Sequence, residues 1–167
     1  MSNHLLFDFV VNKEEKTIHI KREFNANLEL VWQAWTTAEL LDQWWGPKPW
    51  KAQTKTMDFR EGGFWLYAMV GPQGEKHWSR SDYISIEHGK SITHKDSFCD
   101  ENGTSSPSAP QNVWRNDFSE KENKVHVDIL LSFDALSDLE TLISMGFKEG
   151  MTTDFNQLDA LLLTMNK

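Results

Sequence analysis

His94 and Asp96 are the residues of this 167-residue chain best placed to do chemistry. They stand two apart in Ser91 to Phe98, a segment whose alternation reads as a β-strand, so they share a face with Ile92 and Phe98. An imidazole beside a carboxyl can move a proton to or from a bound molecule, or anchor its carbonyl or hydroxyl. Left unpartnered among apolar neighbours such groups are costly to bury. They must bond each other, bond a ligand, or lie on an outer face in solvent. The pair is the candidate acid-base set.

Other chemistries have weaker support in the sequence. The histidines His4, His19, His77, His88, His94 and His126 show no i, i+4 pair and no zinc-like spacing with cysteine, so no metal site is expected. Cys99 has no adjacent base and cannot form an internal disulfide, being the single cysteine. Gly62-Gly63 and Gly71-Pro72-Gln73-Gly74 are turns; neither precedes a helix that could present amides to a phosphate. Asp58 with Arg60, and Arg80 with Asp82, read as structural ion pairs, and Glu120 to Lys124 as a solvated hairpin.

The second unusual feature is aromatic. The chain holds 8 tryptophans, more than ordinary core packing requires, so something large and apolar is walled in. Trp44-Trp45-Gly46-Pro47 closes a stretch that already contains Trp32 and Trp35. Two adjacent indoles before a forced turn cannot both lie on one helix face, and Trp44 and Trp45 are expected at the mouth of a cavity. Trp65, Tyr67 and Met69 alternate along one strand face and are expected to line it, with Trp78 and Trp114 adding to the wall. Rings that carry one polar atom suit a pocket for flat apolar ligands.

These residues need a frame. Thr17 to Phe24 alternates, with Ile18, Ile20 and Arg22 on one side, and reads as an edge-capable first strand. From Leu28 the period becomes helical: Leu28, Val31, Trp32 and Trp35, then Leu40, Leu41 and Trp44 after the Thr36-Thr37 step, give two short helices ended by Gly46-Pro47. Alternation returns over Lys51 to Phe59, Gly63 to Val70, Lys76 to Ile86, Lys90 to Phe98, Gln111 to Ser119 and Val125 to Phe133. Short turns between these strands require antiparallel pairing. Asp100 to Pro110 is polar and is expected to be a mobile loop.

Ser137 and Glu140 have capping-box spacing, so a helix starts there. Met151, Phe155, Leu158, Leu162 and Met165 form one stripe of a long terminal helix, with Asp154, Asn156, Asp159 and Asn166 elsewhere on its circumference. Gly146 and Gly150 mark the break between these helices. Met151 and Phe155 are expected to close the ligand wall from the helix side. The chain reads as one α+β domain, residues 1–167 with a core at about 17–163, in which an antiparallel sheet of about six or seven strands wraps a terminal helix.

Phe24 and Ala26, Val31-Trp32-x-Ala34-Trp35-Thr36, Leu41-x-x-Trp44-Trp45-Gly46-Pro47, Asp58-Phe59-Arg60-x-Gly62-Gly63-x-Trp65 and Leu158-Asp159-x-Leu161 together carry a resemblance. The chain resembles the START and birch-pollen-allergen-like (SRPBCC) superfamily, and within it the family named for the activator of the heat-shock-protein-90 ATPase. The resemblance implies a curved sheet gripping the terminal helix (the helix-grip fold) and a cavity between them for apolar small molecules. It implies no shared catalytic set. The eukaryotic branch that gives the family its name carries an additional amino-terminal domain, for which the residues ahead of Thr17 are too few.

The formal net charge of −8 and scattered Lys and Arg disfavour nucleic acid as a partner. No secretory signal and no span near the ~18–20 apolar residues of a membrane helix is read, so a cytoplasmic protein without membrane contact is expected. The expected function is binding of a small apolar or aromatic ligand without cofactor, by a monomer or homodimer. The alternatives are a cyclase- or dehydratase-like enzyme using His94 and Asp96, and a protein-contact or co-chaperone role through an exposed Trp44-Trp45 rim.

Overall fold

Period-two alternation over most of the chain produces one eight-stranded antiparallel sheet, seen here in a computed structural model that describes residues 5–105 and 111–165. The strands are β1 (Phe7–Asn12), β2 (Thr17–Phe24), β3 (Lys51–Met57), β4 (Phe64–Val70), β5 (Lys76–Glu87), β6 (Ser91–Cys99), β7 (Gln111–Lys121) and β8 (Lys124–Ser132). Their spatial order is β1-β2-β8-β7-β6-β5-β4-β3. Irregularities in register at Thr54/Thr56 and Tyr83/Ser85 add local bend and twist, and the open sheet curves. At the β7-β8 hairpin, Glu122 and Asn123 both take positive φ, 55° and 64°, the two-residue turn that matches strand twist.

The helices are α1 (Leu28–Thr36) and α2 (Ala38–Trp44) between β2 and β3, then α3 (Leu136–Ser144) and α4 (Phe147–Met165). The Asn27 side chain accepts from the Leu30 N–H at 3.0 Å and caps α1. The two short helices, the strand-rich middle and the long final helix form the expected α+β helix-grip arrangement, with α4 held in the curve of the sheet. Ile18, Ile20 and Arg22 of β2 are buried as their alternation requires. Buried residues of sheet and helices form one cluster.

Three expectations are corrected. The sheet has an additional strand, β1, which pairs with β2 from Phe7↔Arg22 to Asn12↔Thr17, so Thr17–Phe24 is interior rather than an edge. The Ser137/Glu140 capping box does not form: Ala135 is the N-cap without a side-chain bond, and Glu140 instead pairs with Lys13 at 3.2 Å. Gly146, at φ 84°, does separate α3 from α4, but Gly150 lies inside α4. Of the expected loop 100–110, residues 106–110 fall outside the described residues. The preceding turn is tied, because Asp100 Oδ1 accepts from the Asn102 and Thr104 N–H groups, both at 2.9 Å.

Candidate functional site

A cavity of about 740 Å³ lies between the sheet and the two final helices. Its sheet wall is supplied by Tyr67 and Met69 of β4, Trp78 of β5, Asp96 and Phe98 of β6, and Asn112 and Trp114 of β7. Facing these, α4 presents Phe147, Gly150, Met151 and Asp154, positions three and four apart that form one stripe, while Leu142 of α3 and Met145, just after its end, add to them. Trp45, Pro47 and Trp50 close the side between α2 and β3. The solvent-exposed Lys76, His77 and Met145 place the opening at the start of β5 and the end of α3. There Trp50 packs on His77 at 5.5 Å between ring centroids, and the Lys55 and Lys76 ammonium groups lie 5.7 and 6.0 Å from the Trp78 ring.

Seven of the eleven sequence-derived candidates line this cavity: Trp45, Tyr67, Met69, Trp78, Asp96, Trp114 and Met151. Trp44, Trp65, His94 and Phe155 do not. Trp44 is fully buried rather than at the mouth, and its Nε1–H donates to the Ala34 carbonyl at 2.9 Å. The exposed Trp44-Trp45 rim is therefore absent, because Trp44 lies on the buried Leu41 face of α2 while Trp45, the C-cap, stands at the cavity wall. Trp65 is buried behind Tyr67, stacked on it at 4.0 Å, with its Nε1–H bonded to Thr54 Oγ1 at 2.9 Å. Phe155 lies on the adjacent stripe of α4 and packs edge-on against Phe24 and Phe7, at 5.7 and 5.9 Å.

The His94 and Asp96 pair faces inward and is mutually bonded. His94 Nδ1 lies 2.6 Å from Asp96 Oδ1, which also accepts from Ser81 Oγ at 2.6 Å. The imidazole stacks on Trp114 at 5.6 Å, and its Nε2 lies 3.1 Å from Asn116 Nδ2. Only Asp96 reaches the main cavity. His94 instead borders a void of about 30 Å³ behind the wall, together with Asn116, Ser81 and Tyr83, room for about one water. The order of the two groups is thus carboxyl in front, imidazole behind.

Asp154 is the site residue that sequence reasoning missed. It is only 4% exposed, lines the cavity, and accepts from the Gly46 N–H at 3.0 Å through Oδ1. Burial pushes its carboxyl up to about 8, opposed only in part by the Gly46 bond, so near neutral pH it carries a proton. A signal was present: Asp154 sits three residues after Met151 and four before Leu158, at the border of the apolar stripe rather than opposite it. Burial also raises the Tyr67 hydroxyl, with Asp96 adding to the effect, and raises the Cys99 thiol. Tyr67 remains a neutral phenol whose oxygen accepts from Trp45 Nε1–H at 3.0 Å.

Asn112 was likewise not singled out. Its Oδ1, like the Nε1–H of Trp114, is buried without a hydrogen-bond partner among the described residues. Also among the described residues, no three His, Cys, Asp or Glu side chains gather as a metal set, and no helix is long and apolar enough to cross a membrane. The expected ion pairs are present: Arg60 with Asp58 at 2.8 Å, and Arg80 with Asp82 at 2.6 Å.

A curved antiparallel sheet gripping a terminal helix over an aromatic-walled cavity defines the class: a helix-grip domain of the START and SRPBCC kind. The family described as "Activator of Hsp90 ATPase homolog 1-like protein" matches residues 25–163, and the chain belongs to it. Its fold is similar to the crystal structure of protein Ms6760 from Mycobacterium smegmatis, at 27% identity and a TM-score of 0.86, covering 95% of this chain and 97% of that one. A protein from Arthrobacter aurescens, solved by solution NMR, is 29% identical with a TM-score of 0.87, over 94% and 91% of the two chains. One from Staphylococcus epidermidis is 27% identical with a TM-score of 0.82, over 94% and 95%. No curated protein matches.

Proposed function

We propose that this domain binds a small apolar or aromatic molecule in the cavity between its sheet and α4, without a cofactor. The observation that carries the reading is the cavity itself: about 740 Å³, within the range of small-molecule sites, walled by Trp45, Tyr67, Trp78 and Trp114 with few polar groups among them. Flat rings at such a wall offer large contact area and lose little side-chain freedom on binding. Native mass spectrometry of freshly purified protein tests this. A copurified small molecule, displaced by the neutral fluorophore N-phenyl-1-naphthylamine, supports the reading. Failure of the fluorophore to bind, with no copurified molecule, removes it.

A second reading is proton transfer to or from the bound molecule, as in cyclases or dehydratases. It is supported by one arrangement: Asp96 stands on the cavity with His94 bonded behind it at 2.6 Å, so the carboxyl touches the ligand and the imidazole orients it. Turnover that disappears in Asp96→Asn while the fluorophore still binds would favour this reading over simple binding.

A further inference from the structure

The polar groups on the cavity wall are few and uneven in kind. Asp154 uses Oδ1 to accept from Gly46, and its other carboxyl oxygen has no partner among the described residues. Trp114 Nε1–H, Asn112 Oδ1 and Asn116 Oδ1 also lack partners among the described residues, but these atoms are closed off from the cavity space and cannot meet a ligand there. Buried hydrogen-bonding groups are normally paired, and an unpaired carboxyl oxygen on the cavity wall is what a ligand's polar end would satisfy.

We propose that Asp154 is a polar anchor that receives an uncharged ligand through a hydrogen-bond acceptor such as a ketone or ester carbonyl. This rests on the cavity-binding reading and adds the ligand's chemical class to it. A protonated carboxyl donates an O–H to such an oxygen while its other oxygen keeps the Gly46 bond, so both ends of the group are used. A carboxylate placed at this end would meet an acidic group inside an apolar wall, with Lys76 away at the opening. Aliphatic acids are therefore the wrong class for the inner end, and neutral aromatic ketones or esters the right one.

The other titratable groups lining the cavity are Tyr67 of β4, Lys76 and His77 of β5, and Asp96 and Cys99 of β6; α3, β7 and the α2-β3 connection present none. The test compares benzophenone with diphenylmethane, which differ by the carbonyl alone, as displacers of N-phenyl-1-naphthylamine at pH 6.5 and pH 9.5. In the unmodified protein benzophenone should be favoured roughly threefold to tenfold at pH 6.5, the effect of one hydrogen bond, and should lose that preference at pH 9.5. Asp154→Asn, which keeps an N–H donor and the shape, should retain the preference at both pH values. Asp154→Leu should lack it at both.

A preference that persists unchanged in Asp154→Leu, or a pH response that survives in Asp154→Asn and so belongs to another wall group, overturns the anchor. Equal displacement by both compounds at pH 6.5 also overturns it while leaving the cavity reading intact. If neither compound displaces the fluorophore and the fluorophore itself does not bind, the cavity reading falls with it. Should Asp154→Leu fail to fold, the loss of the preference at pH 9.5 in the unmodified protein and its retention in Asp154→Asn carry the comparison.

Discussion

The carboxyl of Asp154 and the backbone N–H of Gly46 meet at 3.0 Å, joining the middle of the terminal helix to the turn that ends the Trp-Trp-Gly-Pro run. Gln157, one turn further along α4, reinforces the junction by donating to the Trp44 and Gly46 carbonyls at 3.0 and 2.9 Å. The wall of the cavity and the helix that covers it are thus fixed by the same few bonds. Changes at this junction should act on stability and on the cavity together.

Stability should depend on pH through Asp154. The unfolded carboxyl titrates near 3.8 and the folded one near 8, so between these values only the folded state holds the proton. Folding then takes up a proton, and stability falls as pH rises through that window, by at most about 1.4 kcal/mol per pH unit. Below the lower value both states are protonated and the stabilisation is fully present; above the higher value it is gone. Asp154→Asn does not titrate and should gain on the unmodified protein by at least about 1 kcal/mol between pH 5 and pH 8. Urea unfolding at pH 5, 6.5 and 8 measures this. Parallel curves for the two proteins would show that Asp154 does not bind the proton.

Gly46→Ala should be strongly destabilising. At φ +132° a side chain is strained, and its Cβ would stand 2.7 Å from the Ala52 nitrogen, a backbone atom that cannot swing aside. Gly74 provides the contrast, with φ +84° but nothing within 4 Å of a built Cβ. Gly74→Ala should cost about 1–2 kcal/mol, the usual penalty of the left-handed conformation, and Gly46→Ala distinctly more. Equal losses in urea unfolding would mean that the close approach at Ala52 relaxes freely.

The two adjacent tryptophans should separate by function. Trp44→Ala removes a fully buried indole and leaves the Ala34 carbonyl unbonded, so it should cost about 3–5 kcal/mol. Trp45 is half-buried at the cavity wall, and Trp45→Ala should cost less while weakening N-phenyl-1-naphthylamine binding severalfold. Trp65→Ala belongs with Trp44, because its ring is stacked and hydrogen-bonded behind Tyr67. A Trp65→Ala protein that loses under about 2 kcal/mol and binds the fluorophore poorly would restore Trp65 to the wall.

Periodicity made the sheet and the helices legible because burial there follows alternation directly, as at Ile18, Ile20 and Arg22. β1 escaped because its alternation leads to half-burial of Phe7 and Phe9 only, with Val10 57% exposed, so the contrast between its faces is slight. Which of two adjacent indoles enters the core follows from the helical spacing of Leu41 and Trp44, a signal the sequence carried, whereas the destination of Trp45 at the helix end depended on the sheet opposite it. Asp154 was misplaced for a related reason. A polar residue in a helical stripe reads as surface until the opposite wall, here a cavity with a backbone N–H at its edge, is known. The alternation of β6 groups His94 and Asp96 with Ile92 and Phe98 but leaves open whether that face is inward or outward. Their depth order came only with the curvature of the sheet.

That depth order gives the last prediction. His94 touches the small void and Asp96, whereas Asp96 touches the main cavity, so substitutions at the two should differ in what they change. His94→Phe removes the 2.6 Å bond to Asp96 and the contact with Asn116, but Asp96 keeps Ser81 and Asn116 keeps the Ile92 carbonyl at 3.0 Å. It should lower stability by about 1–2 kcal/mol, the cost of breaking bonds among buried groups that retain one partner each, and alter N-phenyl-1-naphthylamine affinity less than about twofold. Asp96→Asn removes an acidic group from the wall an apolar molecule must touch, and should tighten fluorophore binding about threefold or more. Fluorescence titration of both variants at pH 7 decides the matter. If His94→Phe changes affinity as much as Asp96→Asn does, the imidazole reaches the ligand itself, and the roles of carboxyl in front and imidazole behind must be reversed.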